Sequence, residues 1–190
     1  KNSLRGKVGL AALGILVAFS VNGFTAVEAV KSNSYPLDYC IVSGQKLGAM
    51  GSPVTETIEG RTVKFCCSGC TESYKKDTAK YSQKLDDAIT KQQLADYPTD
   101  KCVVSGEPLG GEMGEPVNAV VQNRLVRLCC KGCAKSLEKE PEKFISQLNQ
   151  AVVDKQKAGY PLDTCVVGGE KLGSMGDPVE YVQGNQLVRF

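Results

Sequence analysis

Three kinds of hydrophobic patterning alternate along this chain. From Val8 to Val21 no residue is charged, and Lys1, Arg5 and Lys7 precede the run. That core is shorter than the roughly 20 residues of a spanning helix, and small residues follow it up to Val27-Glu28-Ala29. Residues 1–29 are therefore expected to be an export signal, cleaved after Ala29, with no membrane span left in the mature chain. Beyond it, short β-branched or apolar stretches come in pairs: Val54–Ile58 with Arg61–Phe65, Val117–Val121 with Arg124–Leu128, and Val179–Gln183 with Gln186–Phe190. The residues between them, Glu59-Gly60, Gln122-Asn123 and Gly184-Asn185, suit two-residue hairpin turns. A helical period then takes over. Tyr81, Leu85 and Ile89, and likewise Phe144, Leu148 and Val152, recur every four residues and predict one buried helix face. Tyr74 and Leu137, one heptad earlier, fall on a short preceding helix, and Pro141 suits the start of a helix.

These patterns are one unit written three times. It starts at Tyr35 (YPLDYCIVSGQKLGAMGSPV), Tyr97 (YPTDKCVVSGEPLGGEMGEPV) and Tyr160 (YPLDTCVVGGEKLGSMGDPV). Modules are expected over 35–96, 97–159 and 160–190. Phe190 aligns with Phe65 and Leu128, so the third copy is expected to be broken off before its cysteine cluster. Four cysteines in each complete unit and Cys165 in the third account for all nine, so their odd number implies no spare thiol.

Charge and composition narrow the chemistry. The net charge of +2 is the excess of Lys1, Arg5 and Lys7 over Glu28, and the rest of the chain is balanced. Nothing there attracts nucleic acid. There is no histidine, which removes Ser-His-Asp and Cys-His catalysis and His-ligated zinc. No motif specifies an enzyme.

Cysteine is the reactive residue with a pattern. Each complete unit has a lone cysteine in a Gly-rich turn (Cys40, Cys102), a hairpin, and a cluster where a helix begins (Cys66, Cys67 and Cys70; Cys129, Cys130 and Cys133). A module of about 60 residues buries a marginal core and commonly needs a metal or disulfides. The layout predicts small α+β, treble-clef-like modules in tandem, each a Cys knuckle, a β-hairpin and a helical tail. Amides at the helix start would stabilise thiolate, with Lys64, Arg127 and Lys131 nearby. Cys40, Cys66, Cys70, Cys102, Cys129 and Cys133 are the expected metal ligands. Three thiolates suit Cu+, whereas Zn2+ wants a fourth donor: Cys67 and Cys130, a water, or an acid such as Asp38 or Asp100. Neighbouring side chains diverge on extended backbone, which argues against Cys66 and Cys67 facing one ion. Cys165 is a further candidate. Two alternatives stand beside metal: structural disulfides, which an oxidising compartment permits, and redox Cys-x-x-Cys motifs at Cys67–Cys70 and Cys130–Cys133.

The spacing of Cys40 to Cys66-x-x-x-Cys70, and of Cys102 to Cys129-x-x-x-Cys133, resembles the TRASH and YHS domains, as does the tail KGCAKSLEKEPEKF at 131–144. The resemblance covers residues 35–190 and implies heavy-metal trafficking, buffering or sensing; the N-terminal segment adds the expectation of an exported, periplasmic or extracellular protein. YHS domains often open with Cys-x-x-Cys, and here Ser43, Ser105 and Gly168 stand at the second position. Met50, Met113 and Met175 recur at one position and are expected to fill gaps in small cores rather than to bind metal. Tyr35, Tyr97 and Tyr160 are expected as packing anchors. The paired glycines beside each Met are expected in turns of positive φ.

Overall fold

The computed structural model describes residues 34–190; the expected export signal lies outside them. Alternation produces the three antiparallel hairpins. β1 (Val54–Ile58) pairs with β2 (Arg61–Phe65), β3 (Val117–Val121) with β4 (Arg124–Leu128), and β5 (Glu180–Gln183) with β6 (Gln186–Arg189). Val54 stands opposite Phe65 and Val117 opposite Leu128, so β2 turns Arg61, Val63 and Phe65 inward. Both turn residues are left-handed in the first hairpin (Glu59 φ 50°, Gly60 φ 76°) and in the second (Gln122 φ 51°, Asn123 φ 62°), the type I′ geometry that fits strand twist. In the third only Gly184 (φ 58°) is left-handed, as in a type II′ turn. Val179 and Phe190 fall just outside β5 and β6, but they still exchange two backbone hydrogen bonds of 3.0 Å.

Two helices follow each of the first two hairpins: α1 (Ser68–Lys76) and α2 (Thr78–Leu94), then α3 (Gly132–Lys139) and α4 (Pro141–Gln156). Asp77 caps α2 by accepting from the Lys80 N–H at 3.3 Å, and Pro141 opens α4, where its missing N–H costs nothing. Leu85, Ile89, Phe144, Leu148 and Val152 are buried as their spacing demands, and Tyr81 is half-buried. In the first unit Tyr74 joins hairpin to helix, edge-on to Phe65 and stacked on Tyr81, with ring centroids 5.4 and 5.8 Å away. In the second, Leu128, Leu137 and Phe144 fill that place. The result is a small mixed α/β chain with short hairpins and a small core in each of the first two units.

Units are joined by polar contacts that recur at equivalent positions. α2 packs on the second hairpin and α4 on the third. The Gln93 amide donates to the Asn123 carbonyl at 3.0 Å and accepts from the Leu125 N–H at 2.9 Å. Gln156 does the same to Asn185 and Leu187, at 2.7 and 2.8 Å. Arg61 Nε donates to Asn123 Oδ1, and Arg124 Nη1 to Asn185 Oδ1, each at 3.0 Å. No helix among the described residues is long and apolar enough to cross a membrane.

Two expectations about packing divide. The tyrosines are anchors: Tyr35 and Tyr97 are buried, and the Tyr97 and Tyr160 hydroxyls accept the backbone N–H groups of Arg127 and Arg189 at 2.9 and 3.1 Å. The methionines are not core residues. Met50, Met113 and Met175 are all exposed, Met175 by 91%. The glycines beside them take positive φ, as expected (Gly48 89°, Gly51 107°), and that turn holds the side chain in solvent.

Candidate metal centre

The lone cysteine of each unit sits in a backbone knuckle. The Cys40 N–H donates to the Gln45 carbonyl at 2.8 Å, the Gly44 N–H returns to the Cys40 carbonyl at 2.8 Å, and the Leu47 N–H closes on the Asp38 carbonyl at 2.8 Å. Gly44 supplies the left-handed residue (φ 76°) that turns the chain. Cys102 repeats this arrangement with Glu107, Gly106 and Asp100. The N–H groups on the inside of the knuckle then aim at sulfur.

The cluster cysteines come from the other side. Cys66 follows the last residue of β2, and Cys67 is the N-cap of α1. The first turn of α1 brings Cys70 back over them, its N–H donating to the Cys67 carbonyl at 3.2 Å. The Sγ atoms of Cys40, Cys66 and Cys70 all lie within 4.8 Å of one another and all three residues are buried; Cys102, Cys129 and Cys133 form the same set. Each set can hold a metal ion. Cys66 Sγ lies 3.7 Å from Cys70 Sγ, and Cys129 Sγ 3.8 Å from Cys133 Sγ. All nine cysteines are free thiols.

Cys67 and Cys130 flank these sets. Cys67 Sγ is 3.9 Å from Cys66 Sγ and 3.7 Å from Cys70 Sγ, and Cys130 Sγ is 3.9 Å from Cys133 Sγ. The Cys66 and Cys67 sulfurs approach more closely than divergence on extended backbone predicts, but Cys67 and Cys130 stay outside the sets whose sulfurs all lie within 4.8 Å of one another. The backbone is extended at Cys67 (φ −160°, ψ 167°), but the chain turns into α1 there and swings the second sulfur back. Asp38 and Asp100 are exposed and add no carboxylate oxygen to either set. Among the described residues Cys165 has the same knuckle but no second sulfur beside it.

The thiols of one set are held in opposite protonation preferences. Burial raises the Cys40 pKa, but the N–H groups of Ser43, Cys66 and Val42 and the Ser43 hydroxyl outweigh it and bring the thiol down to about 7. Cys102 also reaches about 7, against burial, through Ser105 and the N–H groups of Cys129 and Val104. Cys70 and Cys133 go the other way, to about 12, by burial and by the sulfurs around them. One thiolate per set is favoured and a second is opposed, so a cation that draws off the remaining protons fits the chemistry.

Ser43 and Ser105, expected only as departures from a Cys-x-x-Cys opening, hold a sulfur: their hydroxyls lie 3.3 Å from Cys66 Sγ and Cys129 Sγ. The signal for them was their place three residues after the lone cysteine. Arg127 does not serve the cluster as expected. Its guanidinium lies 5.8 Å from the Tyr97 ring centroid, and its Nε donates to Asn118 Oδ1. Comparison of the chain with protein-family models, with curated proteins and with solved structures finds no match.

Proposed function

We propose that this chain binds a thiophilic metal ion, zinc(II) or copper(I), in each of its two cysteine clusters, as an exported metal-handling protein. The observation that carries the reading is the convergence of buried sulfurs, twice, at equivalent positions. The Cys66–Cys70 and Cys129–Cys133 separations of 3.7 and 3.8 Å match the edge of a tetrahedron whose metal–sulfur bonds are about 2.3 Å, which is ~3.8 Å, and Cys40 and Cys102 complete the trios within 4.8 Å. On this reading each complete unit is a treble-clef-like module in which knuckle and helix start supply ligands from two sides. The resemblance to TRASH and YHS domains supports it, and so does the small core, which gains from a crosslink. The basic and apolar N-terminal segment supports export.

The fourth sulfur distinguishes the ions. Zinc needs a fourth donor, for which Cys67 and Cys130 are the flanking sulfurs, whereas copper(I) is satisfied by the buried three. Metal analysis of the purified chain and of a Cys67→Ser, Cys130→Ser double variant tests this. Zinc in the parent and none in the variant assigns the tetrathiolate site; copper retained by both assigns the trio. A parent with no metal and with its thiols oxidised in pairs overturns metal binding in favour of a redox or disulfide-stapled protein.

A further inference from the structure

The two joints between units are related by the repeat but differ in charge. At the first, Arg61 Nη1 donates to Asp86 Oδ1 at 2.6 Å, so the guanidinium has a carboxylate beside it. At the second, Asn149 stands at the position of Asp86. Arg124 is 1% exposed, and its Nη2 donates to Asn149 Oδ1 at 3.2 Å while Nη1 donates to Asn185 Oδ1 at 3.0 Å. Both acceptors are neutral amides. The Arg124 Nε–H is buried and has no acceptor. Burial pushes the pKa of Arg124 down to about 10, which leaves it a cation at neutral pH. Tyr97, the titratable group that acts on it, has its own pKa raised by burial and stays a neutral phenol. A buried guanidinium with hydrogen bonds but no counter-charge in contact is unfavourable, and an anion removes the deficit.

Arg124 lines a cleft of about 390 Å³ where all three units meet, with Gln93 and Asp96 of the first, Asn123 of the second, and Asn185 and Gln186 of the third. We propose that this cleft binds a small carboxylate anion, whose charge takes the place of the carboxylate that Asp86 supplies at the first joint. A carboxylate matches the planar donor edge of a guanidinium, and Gln186, exposed on the cleft, offers an amide donor. Asp96 is exposed in the same cleft and opposes a second negative charge, which favours a monocarboxylate over phosphate. None of the cysteines takes part, so the proposal stands apart from the metal reading.

The arginine Nε–H resonances of the full chain, titrated with acetate and separately with phosphate at constant ionic strength, test it. Saturable movement of the Arg124 signal with acetate, weaker with phosphate and absent at Arg61, is expected. Asn149→Asp, which installs the carboxylate of the first joint in the second, should keep the fold and weaken acetate binding by ~10-fold or more. Asp86→Asn should in turn make Arg61 respond to acetate. No saturable movement at Arg124, or acetate binding unchanged in Asn149→Asp, would overturn the site; tighter binding of phosphate than of acetate would overturn the choice of ligand.

Discussion

Cys40, Cys102 and Cys165 stand in knuckles with the same hydrogen bonds, their N–H groups donating to Gln45, Glu107 and Glu170 at 2.8, 2.8 and 2.7 Å. The first two cysteines are nonetheless sealed, 0% and 1% exposed, while Cys165 is partly open to solvent, its sulfur accepting from the Gly168 N–H at 3.3 Å. Leu37 is buried and Leu162, at the same place in the third unit, is exposed. The knuckle is therefore a local structure, built by about ten residues and one left-handed glycine, and it forms without a site. The site is a tertiary structure. It needs the cluster after the hairpin, and the helix pair whose apolar stripe closes the core beneath the sulfurs. Comparison of the units separates what the turn provides from what the cysteine cluster and the helices provide.

The largest effect on that comparison should come from removing the metal. Ligand-linked stabilisation at a free metal concentration a thousand times Kd is about 4 kcal/mol per site. A chelator should thus lower the melting temperature by ~10 °C or more, read by helical circular dichroism, because all four helices of the described residues belong to the first two units. A melting temperature indifferent to chelator would show that the sulfurs carry no stabilising ion. Cys70→Ser should remove one ion per chain by metal analysis, and Cys133→Ser one more, whereas Cys165→Ser should remove none. Core truncation comes next: Leu85→Ala, at a fully buried position of α2, should cost ~2–5 kcal/mol in denaturant unfolding.

A subtler test follows the protons. In metal-free protein well below its melting temperature, the Cys40 and Cys102 carbon resonances should titrate near pH 7, below the ordinary 9.0. Their folded pKa is depressed, so the stability they contribute is present above pH 9 and is lost as pH falls from 9 through 7. Cys70 and Cys133 act with the opposite sign. Their pKa is raised to about 12, and their contribution, present below pH 9, is lost as pH rises toward 12. Titration of Cys40 at or above pH 9 would contradict the knuckle's role in stabilising thiolate. The smallest effect is expected of Met50→Leu, at an exposed position: metal content unchanged, and stability within about 0.5 kcal/mol.

Much of this was legible in the sequence, and for definite reasons. The first two hairpins begin and end where alternation and the turn pairs put them, and the helix stripes are buried, because each pattern is set by a backbone period. The ligand trios follow from spacing repeated twice. Three things were hidden. The exposed methionines mislead because residue type speaks for burial while the glycine turns around them hold the side chains outward. The approach of Cys67 to Cys66 depends on the chain bending into α1 at that residue, which a strand period does not carry. The joints use Gln93, Asn123, Gln156 and Asn185, polar residues on helix ends and turns that look like solvent-facing ones until a neighbouring unit covers them.

The central claim is that two clusters hold metal and that the third knuckle alone does not. Native mass spectrometry of the protein, purified without chelator or reductant and compared with its denatured mass, tests it most directly. The account predicts two metal ions per chain, lost on denaturation with every thiol free. A chain without metal, whose denatured mass is lower by two hydrogens for each cysteine pair, would contradict it.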